Sequence, residues 1–151
     1  MKNSFLKIRR FRQDDEQEVI RLWRDCGLLV PQNHPKHDII RKIATSPDLF
    51  FVGTLSNKLI ATVMAGYDGH RGWINYLAVS PHYRKRGLGR QMMEFAEKEL
   101  LKIGCPKINL QVRQNNLDVI RFYRAIGYKD DHVVSLGKRL ISDPPYKIEQ
   151  F

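Results

Sequence analysis

The alternation of apolar and polar positions predicts an ordered series of strands and helices along this chain. Runs of β-branched and aromatic residues predict strands at residues 5–11, 49–55, 59–67, 73–79, 108–112 and 133–140. Apolar residues at helical spacing predict helices at residues 14–26, 36–45, 87–103 and 119–126. Two hairpin-type links and two helix crossovers follow from this order. We therefore expect an α/β (α+β) fold with a mixed central sheet of six to seven strands and about four flanking helices.

Two further features refine this outline. Asp14 and Gln17 have the spacing of a capping box, which predicts the start of the first helix. No repeat, linker or break in composition divides the 151 residues, so we expect one domain over residues 1–141. Residues 142–151 contain Pro144-Pro145 and are predicted to form a loosely held C-terminal tail.

The charge of the chain suggests an anionic partner. There are 26 Lys and Arg residues against 16 Asp and Glu residues, which gives a net charge of +10. Such an excess is typical of proteins that bind nucleic acid or anionic membranes. Most of it comes from residues 1–12 and residues 84–90, which contain no acid. The pattern therefore indicates two local patches on a balanced background, and nucleic acid is not the expected partner.

The remaining composition excludes several classes of protein. No apolar run approaches the roughly 20 residues of a membrane span. Cys26 and Cys105 are too few for a disulfide framework or a thiolate metal site, so we expect no metal. The N-terminus has no uninterrupted apolar core of the kind found in signal peptides. A cytoplasmic protein without a membrane anchor is the expectation.

The most informative segment runs from Val79 to Arg90, where a strand ends, a basic loop follows and a long helix begins. The first turn of a helix has unpaired N–H donors and a partial positive charge, both of which favour anions. Gly87 and Gly89 would let a phosphate approach the backbone closely. The segment lacks the Gly-Lys-Ser/Thr of a Walker loop. The alternative is a basic surface turn whose glycines merely ease the bend.

Two motifs in this sequence resemble those of a known family. Arg84-x-x-Gly87-x-Gly89, after a strand that ends in Leu77-Ala78-Val79, resembles motif A of the GCN5-related N-acetyltransferases (GNAT). Residues 116–128 are similar to that family's Asn-x-x-Ala-x-x-x-Tyr-x-x-x-Gly-Phe/Tyr segment. The order of elements agrees over nearly the whole chain. Residues 68–72 and 135–140 further resemble the YpeA-type subgroup.

The resemblance implies an enzyme that uses acetyl-CoA as its acetyl donor. It places the pantetheine arm against the backbone at the end of the fourth strand and the pyrophosphate at the loop that follows. Asn116 would bond the pantetheine, and Tyr123 would lie near the sulfur. The cofactor-binding residues expected on this basis are Leu77, Ala78, Val79, Arg84, Lys85, Arg86, Gly87, Leu88, Gly89, Arg90, Asn116 and Tyr123.

Transfer of an acetyl group to an amine requires one proton to leave the ammonium and one to reach the departing thiolate. The resemblance implies that Tyr123 is the general acid, although the helical spacing also allows it to be a core residue. For the base, Asp68, His70, Tyr76 and His34 are candidates, and a water relay is the alternative.

Two other residues bear on the mechanism. Gln111 stands where the similar Leu-Glu-Val-Arg stretch of the ribosomal-protein alanine acetyltransferases has its catalytic Glu, and an amide cannot accept the proton. Cys26 shares an apolar stripe with Trp23, so a structural thiol is favoured over an acetylated one. We therefore expect direct transfer in a ternary complex.

The acceptor is the least determined part of the prediction. A small-molecule amine and a peptide or protein amine both fit, and the family resemblance leaves a homodimer open. Trp23, residues 29–34 and residues 68–72 are the expected walls of the acceptor groove. Two other functions stay open: a basic RNA- or ribosome-associated module, and a CoA-binding sensor without transferase activity.

Overall fold

The computed structural model describes residues 5–147, which form one mixed sheet covered by helices on both faces. The order of the strands across the sheet is the same as their order along the chain. Two helices lie between the first and second strands of the chain, and two more lie before and after the fifth strand. The strands are β1 (Lys7–Arg10), β2 (Phe50–Leu55), β3 (Lys58–Tyr67), β4 (Gly72–Val79) and β5 (Ile108–Asn109). The helices are α1 (Glu16–Asp25), α2 (Pro35–Thr45), α3 (Leu88–Lys102) and α4 (Leu117–Ala125).

The pairing of the strands leaves one gap in the sheet. Strands β1 to β4 pair antiparallel with their neighbours, and hairpins join β2 to β3 and β3 to β4. Strand β5 is parallel to β4, and the two share only the pairs Gly72↔Ile108 and Trp73↔Asn109. Beyond Trp73 no strand of residues 5–147 pairs with β4 on this side. The end of β4 therefore offers an open edge to a ligand.

The core lies in two layers, one on each face of the sheet. Successive residues of β2 lie in opposite layers of the core. Phe51 packs in the layer with α3 and α4, and Val52 packs in the layer with α1 and α2. Helix α3 contributes Met92 and Met93, both fully buried. Helix α1 contributes Trp23, which is also fully buried. The hydrophobic stripes predicted for α1 and α3 are thus largely the faces that these helices bury, whereas the predicted inward residues Ile40 of α2 and Ile103 after α3 are 61% and 52% exposed.

The strand count differs from the prediction. The described residues form five strands, where six to seven were expected, and residues 133–140 form none. Within this segment Val134 is 83% exposed and Leu136 is 90% exposed. The apolar alternation there is short, and Gly137 with the two cations that follow it interrupts the pattern. The backbone of residues 129–147 forms no backbone–backbone hydrogen bond within the described chain, so the β-branched residues have no ladder to join.

The first helix also begins differently from the prediction. A short 3₁₀ turn, Gln13–Asp15, precedes α1, and the Arg12 N–H donates to the Asp15 carboxylate over 2.8 Å. The Asp14–Gln17 capping box is therefore wrong, because Asp15 occupies the capping role. Asp15 also accepts two bonds from Arg9, at 2.7 and 2.9 Å, which together with the Arg12 contact lower its pKa against the opposing effect of burial.

These contacts reduce the free charge of the basic N-terminal segment. Arg9 is paired with Asp15, and Arg10 lies 3.1 Å from the Asp48 carboxylate. Residues 1–4 of that segment lie outside the described part of the chain. The described Arg9 and Arg10 thus form ion pairs with neighbouring carboxylates.

Part of the predicted tail is docked on α2. The Asp143 carboxylate accepts from both Arg41 guanidinium nitrogens, at 2.6 and 2.8 Å, and lies 3.1 Å from His37 Nδ1. These two partners hold the pKa of Asp143 well below its usual range. Tyr146 packs edge-on against His34 at 5.1 Å. Residues 148–151 of the predicted tail lie outside the described residues. None of the described helices is both long and apolar enough to cross a membrane.

Lys42 on α2 predicts a measurable pH dependence of stability. Its ammonium lies between Ser46 and the Ala65 carbonyl, and burial lowers its pKa to about 8. The unfolded chain, with a lysine pKa of about 10.4, then binds more protons than the folded chain between these two values. The free energy of unfolding should therefore rise as the pH increases from 8 to 10.5. Urea unfolding of the wild type and of Lys42→Met over this pH range measures the effect. The additional rise in the free energy of unfolding of the wild type should be absent from the variant. Parallel curves for both proteins would contradict it.

Candidate functional site

The centre of the site is an irregularity in β4. Its register against β3 slips so that Val63 faces both Tyr76 and Leu77, which is a β-bulge. Tyr76 has a φ of +51°, a left-handed conformation that is uncommon for an aromatic residue and typical of functional positions. Its ring stacks on Trp23 at 3.8 Å. Thr62 links the pair, because it accepts from Trp23 Nε1 and donates to the Tyr76 carbonyl, each over 2.9 Å.

The Tyr76 hydroxyl donates to the Asp38 carboxylate of α2 over 2.6 Å. Burial, and then the negative charge of Asp38, raise the pKa of Tyr76 far above its ordinary value, so the phenol keeps its proton. Asp38 is partly exposed and stands 3.7 Å from the Arg41 guanidinium. Sequence reasoning missed Asp38, since an acid in the first turn of a helix is already explained by the helix dipole.

The loop after β4 presents a row of free backbone donors. The N–H groups of residues 84–90 donate to no acceptor in the described chain, and the next N–H, of Gln91, bonds the Gly87 carbonyl at the start of α3. Lys85 and Gly87 both have positive φ, at 62° and 75°, which turns the chain sharply into the helix. Free N–H groups at the N-terminus of a 15-residue helix form an anion-binding surface.

Side chains around this loop add positive charge and fix its shape. Arg84 Nε donates to the Val79 carbonyl over 3.2 Å, and Arg86 lies over the Tyr83 ring at 5.3 Å. Gly89 packs closely against α4, since a Cβ there would lie 3.2 Å from the Phe122 ring. The glycine predicted to admit a phosphate therefore also brings α3 and α4 together.

One of the backbone groups predicted to contact the pantetheine, the Val79 carbonyl, already has hydrogen-bond partners within the chain. The Val79 carbonyl accepts from Arg84 and from the Cys26 thiol, which lies 3.3 Å away. Leu77 is partly buried on the α3 face, and Ala78 is buried on the α1 face. Asn116 precedes α4 with an exposed side chain that makes no capping bond. Its amide is thus free to bond a ligand.

Tyr123 of α4 combines burial with a free hydroxyl. The residue is 8% exposed and packs edge-on against Tyr128 at 5.6 Å. Its hydroxyl makes no hydrogen bond in the described chain, yet every buried side-chain N or O atom of that chain has a partner, so solvent still reaches this oxygen. Burial raises the pKa of Tyr123 to about 12. The phenol therefore keeps its proton at physiological pH.

The loop from residue 68 to residue 71 lies apart from this centre. Asp68 accepts from the N–H groups of His70 and Arg71 and from Trp73 Nε1, and these bonds lower its pKa to about 2. A carboxylate held this way organises a turn and is a weak base. His70 is exposed in the same turn. Tyr76 follows six residues after His70, and the stretch of β4 from Gly72 to Tyr76 alone rises about 13 Å at the usual rise of a strand.

The other predicted residues have structural surroundings. His34 caps α2, with its Nδ1 accepting from the His37 N–H over 3.4 Å, and burial followed by the charge of His37 lowers its pKa. Burial raises the pKa of the Cys26 thiol, as expected for a structural cysteine. Gln111 bonds Ser135. Trp23 is wrong as a groove wall, because it is fully buried behind Tyr76.

Comparisons with known proteins identify the family of this chain. Residues 11–128 match the model of the Acetyltransferase (GNAT) family. An acetyltransferase of Sodalis glossinidius is 49% identical over 142 residues, which cover 93% of this chain and 100% of the relative. An acetyltransferase of Pectobacterium atrosepticum is 47% identical over 141 residues, with the same coverage. Among solved structures, an aminoglycoside N-acetyltransferase in complex with CoA has the same fold, with a TM-score of 0.76 at 15% identity over 93% of this chain and 98% of that one.

Proposed function

This chain belongs to the GNAT family of acetyltransferases, and we propose that it transfers an acetyl group from acetyl-CoA to a primary amine by direct attack in a ternary complex. The observation that carries the proposal is the row of free N–H donors at residues 84–90, beside the open edge of β4. The acceptor class, the site residues and the YpeA-type subgroup are predictions at this stage, as is the cytoplasmic location.

The described residues fit the donor that the family uses. The N–H row, with Lys85, Arg86 and the positive end of the α3 dipole, suits a pyrophosphate. The open edge of β4 suits an amide-bearing arm, which would complete the strand pairing that β5 leaves unmade. Asn116 lies at the start of α4 with a free amide to bond the same arm. When bound, acetyl-CoA supplies an activated acyl group on a thiol that leaves readily.

The two tyrosines have different proton-handling roles. Tyr123 keeps its proton at physiological pH and has no partner in the described chain, so it can donate to a developing thiolate. Tyr76 also keeps its proton, but it is already committed to Asp38. Tyr123 is therefore the general acid, and Tyr76 orients Asp38.

Asp38 is the group that receives the amine. As a carboxylate fixed by a phenol, it attracts an ammonium, orients it toward the β4 bulge and accepts the proton that the amine must lose. The backbone of α2 and the Trp23–Tyr76 stack hold it in place. This replaces Asp68 and His70 as the base, because their loop is distant from the bulge.

Asp38→Asn should lower kcat by about 30-fold, equivalent to about 2 kcal/mol in the activation free energy. The amide can still accept from Tyr76, so the fold and the affinity for acetyl-CoA should not change, but it carries no charge and takes no proton. Steady-state CoA release with a thiol-reactive dye measures the effect. Asp48→Asn removes an exposed carboxylate that pairs with Arg10 and should leave kcat unchanged. An Asp38→Asn enzyme with wild-type kcat would contradict the assignment.

The function as a whole is tested by CoA release from acetyl-CoA over a panel of primary amines. Amino acids, polyamines, aminoglycosides and peptides with free N-termini or lysines cover the acceptor classes. Turnover with at least one amine, together with the acetylated product by mass spectrometry, is expected. Tight binding of acetyl-CoA without turnover on any amine would instead favour a CoA-binding sensor.

A further inference from the structure

A cavity of about 550 Å³, wide open to solvent, lies between α2 and the segment 137–141, whose residues are all exposed. Its lining combines three cations with two apolar side chains at one end. The lining residues are Arg41, Gly137, Lys138, Arg139, Leu140 and Ile141.

The three cations differ in how far they are neutralised. Arg41 is paired with Asp143 and lies near Asp38. Arg139 donates to the neutral Asn33 amide over 3.1 Å and to the Ile141 carbonyl over 3.4 Å, so its charge faces no carboxylate within residues 5–147. Lys138 forms no ion pair with any of these residues. Two uncompensated cations on one wall favour an anionic ligand.

The cavity is connected to the reaction centre through a short series of contacts. Arg41 lies 3.7 Å from one oxygen of Asp38, and the other oxygen accepts from the Tyr76 hydroxyl over 2.6 Å. A single carboxylate thus separates the cation-lined cavity from the β4 bulge. Arg41 therefore lies beside Asp38 and also lines the cavity that Lys138 and Arg139 share.

Two contacts hold the segment that carries these cations next to α2, one from Arg139 and one just beyond the segment at Asp143. Asp143 clamps it to Arg41 and His37 of α2, and Arg139 holds the Asn33 loop before α2. A fixed position matters, because a cation held in place binds an anion with less loss of conformational entropy than a free one.

We propose that the acceptor is a primary amine that also carries a carboxylate, and that Lys138 and Arg139 bind this carboxylate while Asp38 receives the amine. The inference rests on the proposed transferase function and names its substrate class. Leu140 and Ile141 contact the apolar part of such a molecule. Polyamines, which lack an anion, are poor acceptors on this account.

The first experiment measures binding without turnover. Protein saturated with CoA, so that the loop at residues 84–90 is filled, is titrated with succinate, and the backbone amide resonances are followed. We expect chemical-shift changes at residues 137–141 that saturate with succinate in the wild type. The size of these changes should fall at least tenfold in Lys138→Glu/Arg139→Glu. Lys98→Glu/Lys129→Glu, which reverses two exposed cations elsewhere, should bind succinate as the wild type does. Absence of saturable shifts at 137–141, or shifts there caused by CoA itself, would overturn the proposal.

The second experiment measures specificity in turnover. L-leucine and L-leucinamide differ in the carboxylate, as do other amino acids and their amides. The wild type should favour the acid by at least tenfold in kcat/KM, and Lys138→Glu/Arg139→Glu should reverse or abolish this preference. A higher kcat/KM for L-leucinamide than for L-leucine would overturn the inference about the carboxylate and leave the transferase function intact. If no amine is acetylated, the transferase function fails, and the succinate titration still decides whether the cavity binds a carboxylate.

Discussion

Replacing Tyr123 with phenylalanine is expected to lower kcat by about 10²- to 10³-fold, which is the lower part of the range usual for loss of a general acid. The ring and its packing against Tyr128 are retained, so stability and the affinity for acetyl-CoA should change little. The hydroxyl has no partner in the described chain, which means that its loss leaves no buried group unsatisfied. Pre-steady-state and steady-state CoA release, with an acceptor found in the panel, measure the effect.

The pH profile provides a second readout for Tyr123. Because burial raises its pKa to about 12, the phenol stays protonated well above neutral pH, and kcat should show no fall between pH 8 and pH 10. Tyr128→Phe is the matched control. It removes a hydroxyl that bonds Glu97 over 2.8 Å, so it should reduce stability and leave kcat unchanged. A Tyr123→Phe enzyme with the full wild-type rate would exclude this residue as the acid.

Reversing the charge of Lys85 and Arg86 is expected to weaken acetyl-CoA binding by about 10²-fold. Each charge-assisted hydrogen bond to a phosphate contributes about 1.5–3 kcal/mol, reduced here by solvent screening, and the reversed charges repel the phosphates. Neither side chain forms a hydrogen bond within residues 5–147, so the fold should tolerate Lys85→Glu/Arg86→Glu. Isothermal titration with acetyl-CoA gives the dissociation constant.

The control and the salt dependence make this prediction specific. Lys98→Glu/Lys129→Glu makes the same change of four charge units at exposed positions and should alter the dissociation constant less than twofold. Lys98 lies about 15 Å from the start of α3 at 1.5 Å per residue. The loss in Lys85→Glu/Arg86→Glu should shrink as the salt concentration rises. Equal effects of the two variants would mean that general charge, and not this loop, attracts the cofactor.

The sequence predicted those parts of the site that depend on local chain geometry. The turn from β4 into α3 requires glycines and leaves free N–H groups, and both properties are visible in the residues from Arg84 to Arg90. The family that these motifs and the residues around Tyr123 indicated is confirmed. The amphipathic helices were predicted for the same reason, since burial of one face imposes a period on the sequence.

The parts that sequence did not predict depend on contacts between distant segments. The β4 bulge at Tyr76 has no periodic signature, because one additional residue shifts the alternation without altering composition. Asp38 acquires its role only from Tyr76, which lies 38 residues away in the chain. Likewise, the sequence predicts a strand that contains Lys138 and Arg139. Their position near α2 instead follows from the contacts of Asp143 with His37 and Arg41, which no local pattern indicates.

Equilibrium unfolding with and without acetyl-CoA tests the central claim most directly. A ligand that binds the folded state alone adds about 2.7 kcal/mol to the free energy of unfolding at a concentration of 100 times its dissociation constant. We expect a shift of this size for the wild type, with a much smaller one for Lys85→Glu/Arg86→Glu at the same acetyl-CoA concentration. An unfolding transition of the wild type that does not move at millimolar acetyl-CoA would contradict acetyl-CoA binding and, with it, the proposed reaction.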